Sequence, residues 1–162
     1  MRVLIAIGVI LAGVIMAACG DDDEGNGGAT ASPGGTQADG GADVDVTLQD
    51  FSVIPDADSA EAGEISFNVE NVGPDHMHEL VIVKTDLEPD ALPTSDDGSM
   101  DETGQGVEVI DEIEEFPVGE TESITVDLEA GSYALICNVV HHEEGETFVH
   151  YELGMRTGFT VE

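Results

Sequence analysis

The sequence predicts an all-β domain over residues 45–162, an antiparallel Greek-key β-sandwich of seven to eight short strands. Apolar and polar residues alternate with a period of two, most regularly at Ile65, Phe67 and Val69. Glycine and proline interrupt the pattern at short intervals, as at Gly73-Pro74. No long stretch has a helical period, so we expect sheets and turns with little helix.

Each predicted strand is marked by its own apolar positions, in chain order. These positions are Val44, Val46, Leu48 and Phe51; Ile65, Phe67 and Val69; Leu80–Val83; Val107, Val109 and Ile110; Ile124, Val126 and Leu128; Tyr133, Leu135 and Cys137; and Phe159 and Val161. Between the third and fourth groups, residues 86–104 form a long acidic connection. Its pattern is compatible with either a helical turn or an extra strand.

The N-terminal segment is predicted to be a lipoprotein signal peptide, residues 1–18. Its apolar run, residues 3–15, is too short to cross a bilayer, which takes about 20 helical residues. The run leads to Ala17-Ala18-Cys19-Gly20, which resembles a bacterial lipobox with Cys19 as the lipidated residue; an ordinary cleaved signal is the alternative. Residues 19–44 are polar and rich in glycine, so we expect a disordered tether.

The charge of the chain is strongly one-sided, with 36 acidic residues against three basic ones and a formal net charge of −33. A chain of this kind lacks the lysine and arginine that bind phosphate, so we expect no nucleic-acid partner. Anionic lipid head groups would repel it. A lipid on Cys19 is therefore the expected means of holding the domain at the extracytoplasmic face of the cell membrane.

The residues that carry chemistry are concentrated near the C-terminus. Cys137 ends a predicted strand, and His150 and Met155 follow before the last one; His78 opens an earlier strand. If Cys19 carries lipid, Cys137 has no cysteine to pair with, so it is either an inert buried thiol or a metal ligand. Two imidazoles, one thiolate and a weak axial thioether suit copper in both oxidation states, and make a type 1 copper site.

This arrangement resembles the cupredoxin family of blue copper proteins, which includes plastocyanin and azurin. Cys137, His150 and Met155 match the family's C-terminal motif, and His78-Glu79-Leu80 after Asn71 resembles its first-histidine motif. The resemblance implies one copper ion cycling between Cu(I) and Cu(II), no enzymatic activity, and single-electron transport. It also implies that His150 lies near solvent and is the point where electrons enter or leave.

The sequence departs from the family pattern in the loop after Cys137. Twelve residues separate Cys137 from His150, which is longer than in most family members, and they include His141 and His142. His142 is the alternative ligand, because its spacing from Cys137 along the sequence is similar to that in azurin. His150 is favoured because His150 to Met155 is continuous with the final strand. His76 is interpreted as a solvated turn residue.

The expected partners are redox proteins with a basic docking face, because Glu143, Glu144 and Glu146 lie close to His150 in the sequence. Two other functions use the same residues differently. A copper-delivery module would keep the four ligands but release the ion, and a metal-free interaction domain would keep only the sandwich. Binuclear and multicopper sites are disfavoured because no second cysteine lies beside Cys137.

Overall fold

A computed structural model describes residues 41–162, and the predicted signal peptide, Cys19 and the tether up to residue 40 lie outside the described residues. The described chain is built from strands and one very short helix. The elements are β1 (Ala42–Gln49), β2 (Ser52–Pro55), β3 (Ser59–Ala60), β4 (Gly63–Gly73), β5 (His78–Lys84), β6 (Glu108–Phe116), β7 (Thr121–Leu128), β8 (Gly131–Ile136), β9 (Val140–Glu143), β10 (Glu146–Val149), α1 (His150–Leu153) and β11 (Arg156–Val161).

Two sheets and a separate hairpin organise these strands. One sheet has the order β2-β1-β4-β7 and the other the order β3-β11-β8-β5-β6, while β9 and β10 pair only with each other. The order is not sequential in either sheet, because strands far apart in the chain lie side by side. This places the C-terminal ends of β8 and β10 near the start of β5.

The main core lies between the two sheets. Alternate residues of β1 and β4 point inward, and Phe67 of β4 meets Phe159 of β11 with ring centroids 5.5 Å apart in an edge-to-face arrangement. Both rings are almost fully buried. The inward positions are the ones that the period-two pattern predicted, so burial of alternate apolar side chains fixes the register of each strand.

Strands β5 and β8 are buried on both faces. Val81, Val83, Ala134 and Ile136 face away from the main core and form a second apolar cluster. Leu92 and Met100, from the acidic connection, cover this cluster together with Tyr151 of α1. That connection contains neither the helical turn nor the full strand considered above; it is turns with one isolated bridge between Thr94 and Met100.

The predicted fold class is confirmed, with seven strands of six or more residues and four shorter ones among residues 41–162. The expectation that all neighbouring strands are antiparallel was wrong, since β1 pairs in parallel with β4 and β11 with β3. Side-chain alternation carries no information on strand direction, which explains the error.

Strand β1 begins at Ala42, so residues 42–44 lie in the sandwich. No helix within the described range is long and apolar enough to cross a membrane.

Replacing Phe67 by alanine should destabilise the domain by about 3–5 kcal/mol, because the change leaves a cavity between the sheets that neighbouring residues fill only in part. Urea unfolding followed by circular dichroism measures the effect. Val72→Ala on the same strand is the control, since Val72 is 41% exposed and its truncation should cost less than about 1 kcal/mol. Equal losses in the two variants would contradict the assignment of the core.

Candidate metal centre

Four buried side chains meet at one end of the sandwich. His78 is the first residue of β5, Cys137 directly follows β8, His150 opens α1, and Met155 lies between α1 and β11. All four are fully buried. The structure therefore brings together the four residues that the sequence analysis singled out, and three of them come from one stretch of 19 residues, 137–155.

Backbone hydrogen bonds hold these segments at fixed distances. The Cys137 N–H donates to the Met155 carbonyl at 3.0 Å, and the Met155 N–H donates to the His150 carbonyl at 3.0 Å. Between them, Gly154 has a φ of +120°, and a Cβ at this position would lie 3.2 Å from the Phe51 carbonyl oxygen. Glycine therefore lets the chain reverse after one helical turn and return Met155 to Cys137.

The donor atoms form a small triangle. The Nδ1 atoms of His78 and His150 lie 3.1 Å apart, and the sulfur of Cys137 lies 3.8 Å from the first and 3.3 Å from the second. A first-row metal ion with bonds of about 2.0 Å to nitrogen and about 2.3 Å to sulfur, in a trigonal plane, requires edges of about 3.5–3.7 Å. Two edges of the triangle are shorter than this by about 0.4 Å, so small side-chain shifts bring the three donors to the distances that a trigonal metal ion requires.

The carboxylate of Asp50, at the end of β1, orients the first histidine. Nε2 of His78 donates to Asp50 Oδ1 at 2.9 Å, and Nδ1 of His76 donates to Asp50 Oδ2 at 2.6 Å. Burial raises the pKa of Asp50, but the two histidine hydrogen bonds outweigh it and the net pKa is lowered. Asp50 is therefore an acceptor at neutral pH, and the Nδ1 lone pair of His78 is left facing Cys137.

Burial keeps both imidazoles of the triangle neutral. It lowers the pKa of His78, and it lowers the pKa of His150 to about 3, with the neighbouring histidines adding to the effect. Burial also raises the pKa of the Cys137 thiol to about 12. The histidines can thus bind a cation without losing a proton, whereas Cys137 has to release one when it becomes a thiolate ligand.

The surroundings of the Cys137 sulfur are set by Glu79 and Asn138. The Glu79 N–H donates to the sulfur at 3.5 Å, and the Glu79 carboxylate accepts from the Asn138 N–H at 2.8 Å. Asn138 also bonds the backbone of Met100 in both directions, at 2.6 and 3.1 Å. The residues flanking two of the ligands are in this way tied to the acidic connection, which packs over the site.

The long loop after Cys137 folds into the β9–β10 hairpin, which lies against His150. His141 of β9 has its Nδ1 3.0 Å from Nε2 of His150, and its ring stacks on Phe148 of β10. His150 is consequently fully buried, and the expectation that it lies near solvent was wrong. An inserted hairpin that supplies its own histidine covers the edge of the ring that would otherwise be exposed.

His142 lies outside the cluster. It is exposed on β9, and its Nδ1 bonds the Thr147 hydroxyl of the paired strand at 2.9 Å. His150, and not His142, is the loop histidine beside Cys137. His76 also differs from expectation: only 16% of its side chain is exposed, and it packs against Phe51, His141 and Phe148.

The described residues form an all-β sandwich in which two histidines, a cysteine and a methionine lie buried at one end. Comparison with solved structures finds matches that are at most 20% identical in sequence and have TM-scores below 0.5. Auracyanin A, a "blue" copper protein from Chloroflexus aurantiacus, is 20% identical with a TM-score of 0.49, covering 76% of this chain and 100% of that one.

Two further solved structures give similar values. Reduced auracyanin from Roseiflexus castenholzii is 20% identical with a TM-score of 0.48, covering 75% of this chain and 96% of that one. Reduced rusticyanin is 15% identical with a TM-score of 0.49, covering 75% and 79%. No protein-family model matches the sequence, and no curated protein matches it.

Sequence reasoning missed three residues of this site: Asp50, Glu79 as a buried acid, and His141. Asp50 ends a strand far from the ligand motifs, and no local pattern distinguishes it from the other 35 acidic residues. His141 could have been found, because a histidine within an insertion between two ligands is a natural cover for the second one.

Replacing Glu79 by glutamine should stabilise the metal-free protein above neutral pH. Burial raises the pKa of Glu79 to about 7, so the folded state holds this proton more tightly than the unfolded chain does. Its contribution to stability is full below pH 4.5 and is lost as pH rises towards 7, a loss on the order of 2–3 kcal/mol. Glutamine still accepts from Asn138 but cannot ionise.

Urea unfolding at pH 4 and pH 8 measures this effect. The free energies of unfolding of Glu79→Gln and the unaltered protein should agree at pH 4, and the variant should exceed the unaltered protein at pH 8. Glu61→Gln, at an exposed position, is the control and should change neither value appreciably. A Glu79→Gln variant that matches the unaltered protein at pH 4 but is less stable at pH 8 would contradict this prediction and show that the charged carboxylate stabilises the fold.

Proposed function

We propose that the protein binds one copper ion through His78, Cys137, His150 and Met155 and carries single electrons between redox partners. A lipid on Cys19 would hold it at the extracytoplasmic face of the cell membrane. The observation that carries the proposal is the triangle of Nδ1, Nδ1 and sulfur with edges of 3.1, 3.8 and 3.3 Å, formed by fully buried residues.

The donor set selects the metal. One thiolate, two imidazoles and a thioether are soft and borderline ligands, which favour copper over the hard cations calcium and magnesium. A copper ion held there would supply one-electron chemistry by alternating between Cu(I) and Cu(II). The protein supplies the rest: a nearly trigonal set of donors that is already assembled and that no water reaches.

Rigidity of the ligands supports electron transfer. The backbone bonds among Cys137, Met155 and His150, and the bond from His78 to Asp50, fix each donor from a second direction. Donors that barely move between two oxidation states keep the reorganisation cost of electron transfer small. The same fixation argues against copper delivery, because releasing the ion would require opening a fully buried site.

The route for electrons to the surface passes through the β9–β10 hairpin. His150 is buried, but its Nε2 bonds His141, whose ring is partly exposed and lies 4.4 Å from the ring of His76. A short contact chain from the cluster to solvent therefore runs from His150 to His141. A partner that docks over this hairpin would come within one side chain of the ligand shell.

Adding one equivalent of Cu(II) to the metal-free protein should give an intense visible band and the paramagnetic-resonance spectrum of a type 1 site. Cys137→Ser should abolish the band and weaken Cu(II) binding by more than about tenfold, because the thiolate is the source of both. Absorption titration measures the two effects. His142→Gln should behave like the unaltered protein, since His142 lies outside the cluster.

A colourless complex in the unaltered protein, or a Cys137→Ser variant with the same band, would refute the copper assignment. Copper that passes within minutes to a moderate chelator would favour the delivery function instead. Thermal unfolding of the metal-free variant shows whether Cys137→Ser is folded, so that loss of binding is not confused with loss of structure.

The partner is proposed to carry a basic docking face. Glu143, Glu144 and Glu146 are all exposed on the hairpin that covers His150, in a protein whose net charge is −33. Opposite charges accelerate association more than they tighten it, and salt screens them over about 8 Å at physiological ionic strength. The acidic hairpin would therefore steer the partner towards the electron route at low salt.

Replacing these three glutamates together by glutamine should slow reduction by the natural partner several-fold at low ionic strength, and the difference should shrink towards 1 M salt. Stopped-flow kinetics measures both. The control replaces Glu61, Glu64 and Glu162, which are exposed and lie at the opposite end of the sandwich. Equal slowing by the two triple variants would show that only net charge matters, and no slowing would remove the docking site from this hairpin.

A further inference from the structure

A second group of potential ligands lies on the solvent side of His150, and we call it the outer cluster. It consists of His76, His141 and Glu143, each of which offers one ligand atom within 4.8 Å of the other two. The residues come from different elements: His76 from the loop between β4 and β5, and the other two from β9. None of them belongs to the inner triangle of His78, Cys137 and His150.

The hydrogen bond to Asp50 leaves one nitrogen of His76 available to an ion. Nδ1 of His76 donates to Asp50 Oδ2 at 2.6 Å, so Nε2 is the remaining ligand atom. A histidine whose other ring nitrogen donates to a carboxylate is the usual arrangement of an imidazole that binds a metal ion. Asp50 therefore orients His78 in the inner triangle and His76 in the outer cluster.

His141 supplies the independent sign of a missing ligand. Its Nε2 atom is buried and has no hydrogen-bond partner among residues 41–162. The ring is held by stacking on Phe148, with centroids 4.8 Å apart and planes 4° from parallel, and by the bond from its Nδ1 to His150. A buried polar atom without a partner destabilises the fold, and an ion bound at Nε2 would supply the missing partner.

The surroundings of the outer cluster favour a cation. It opens into a cleft that is also lined by Asp75, Glu115 and His142, and neither of the described basic residues, Lys84 and Arg156, borders this cleft. Two imidazoles and one carboxylate with an open position for water suit a zinc-like divalent ion. Acidic neighbours that contribute no bond still raise the local concentration of such an ion.

We propose that the outer cluster is a second metal site, which binds one divalent transition-metal ion through His76, His141 and Glu143 when the inner site is empty. Metal binding by the outer cluster does not depend on the inner site. Mutual exclusion of the two sites rests on the proposed copper site, because it follows from the single proton that lies between His141 and His150.

The exclusion arises from the direction of one hydrogen bond. An ion on Nε2 of His141 leaves the proton of that neutral ring on Nδ1, which then donates to Nε2 of His150. The proton of His150 then sits on its Nδ1, where it donates to Nδ1 of His78 at 3.1 Å or to the Cys137 sulfur at 3.3 Å. Every ring nitrogen in this chain has a partner, but Nδ1 of His150 can no longer bind an inner ion.

An inner ion reverses the chain. With Nδ1 of His150 as a ligand, its Nε2 carries the proton and donates to Nδ1 of His141. The proton of His141 is then on Nε2, the nitrogen that the outer ion would need, and it blocks binding there. All histidines are neutral in both states. The two states differ only in which ring nitrogen of His141 and of His150 carries the proton.

The test is zinc binding by calorimetry to a protein whose inner site has been disabled with Cys137→Ser. This variant should bind one Zn²⁺. Adding His141→Phe, which keeps the ring stacked on Phe148, or Glu143→Gln should weaken binding by more than about tenfold. The matched controls, His142→Phe and Glu144→Gln on the same hairpin, should leave the affinity unchanged. His78→Gln replaces Cys137→Ser as the background if the latter does not fold.

Two results would overturn the proposal. If the disabled protein binds no Zn²⁺, or binds it equally well with His141→Phe and Glu143→Gln, the outer cluster is not a metal site. If the copper-loaded unaltered protein binds Zn²⁺ as tightly as the disabled protein does, the sites do not exclude each other; we expect at least about tenfold weaker binding. Failure of the copper site itself would appear separately, as the absence of a visible band in the unaltered protein.

Discussion

The geometry of this molecule depends most on the carboxylate of Asp50 and the two histidines that donate to it. A neutral imidazole can carry its proton on either ring nitrogen. If the proton of His78 were on Nδ1, this atom could not donate its lone pair to an ion in the triangle. Because Asp50 accepts from Nε2 of His78 at 2.9 Å and from Nδ1 of His76 at 2.6 Å, both rings are held in one tautomer. The fold serves this contact by ending β1 beside the start of β5.

The buried donors illustrate why such a site needs a preassembled scaffold. Nitrogen and sulfur atoms 3.1–3.8 Å apart gain little from each other without an ion, and burial keeps all of them uncharged. Their positions are instead fixed by bonds to groups outside the triangle, such as the Met155 carbonyl and the Glu79 N–H. The apolar core between the sheets provides the energy that holds these segments together.

The sequence predicts the sandwich and the four-residue site well, because both leave a local trace. Alternation marks the inward residues, and Cys137, His150 and Met155 lie within one short stretch beside the last strand. It does not predict the parallel pairing of β1 with β4, since alternation is the same in either direction. Nor does it predict Asp50, because a single acid among 36 acquires its role only when β1 meets β5.

The long loop after Cys137 shows how an insertion changes a site that it does not enter. Glu144 and Gly145 both have positive φ and join β9 to β10 by a tight turn, so the inserted residues return as a hairpin rather than as an open loop. The hairpin removes His150 from solvent and puts His141 in its place. If the inner triangle binds copper as proposed, His141 is the imidazole that contacts the ligand His150 from the solvent side, so an electron that leaves through the hairpin would pass this ring first.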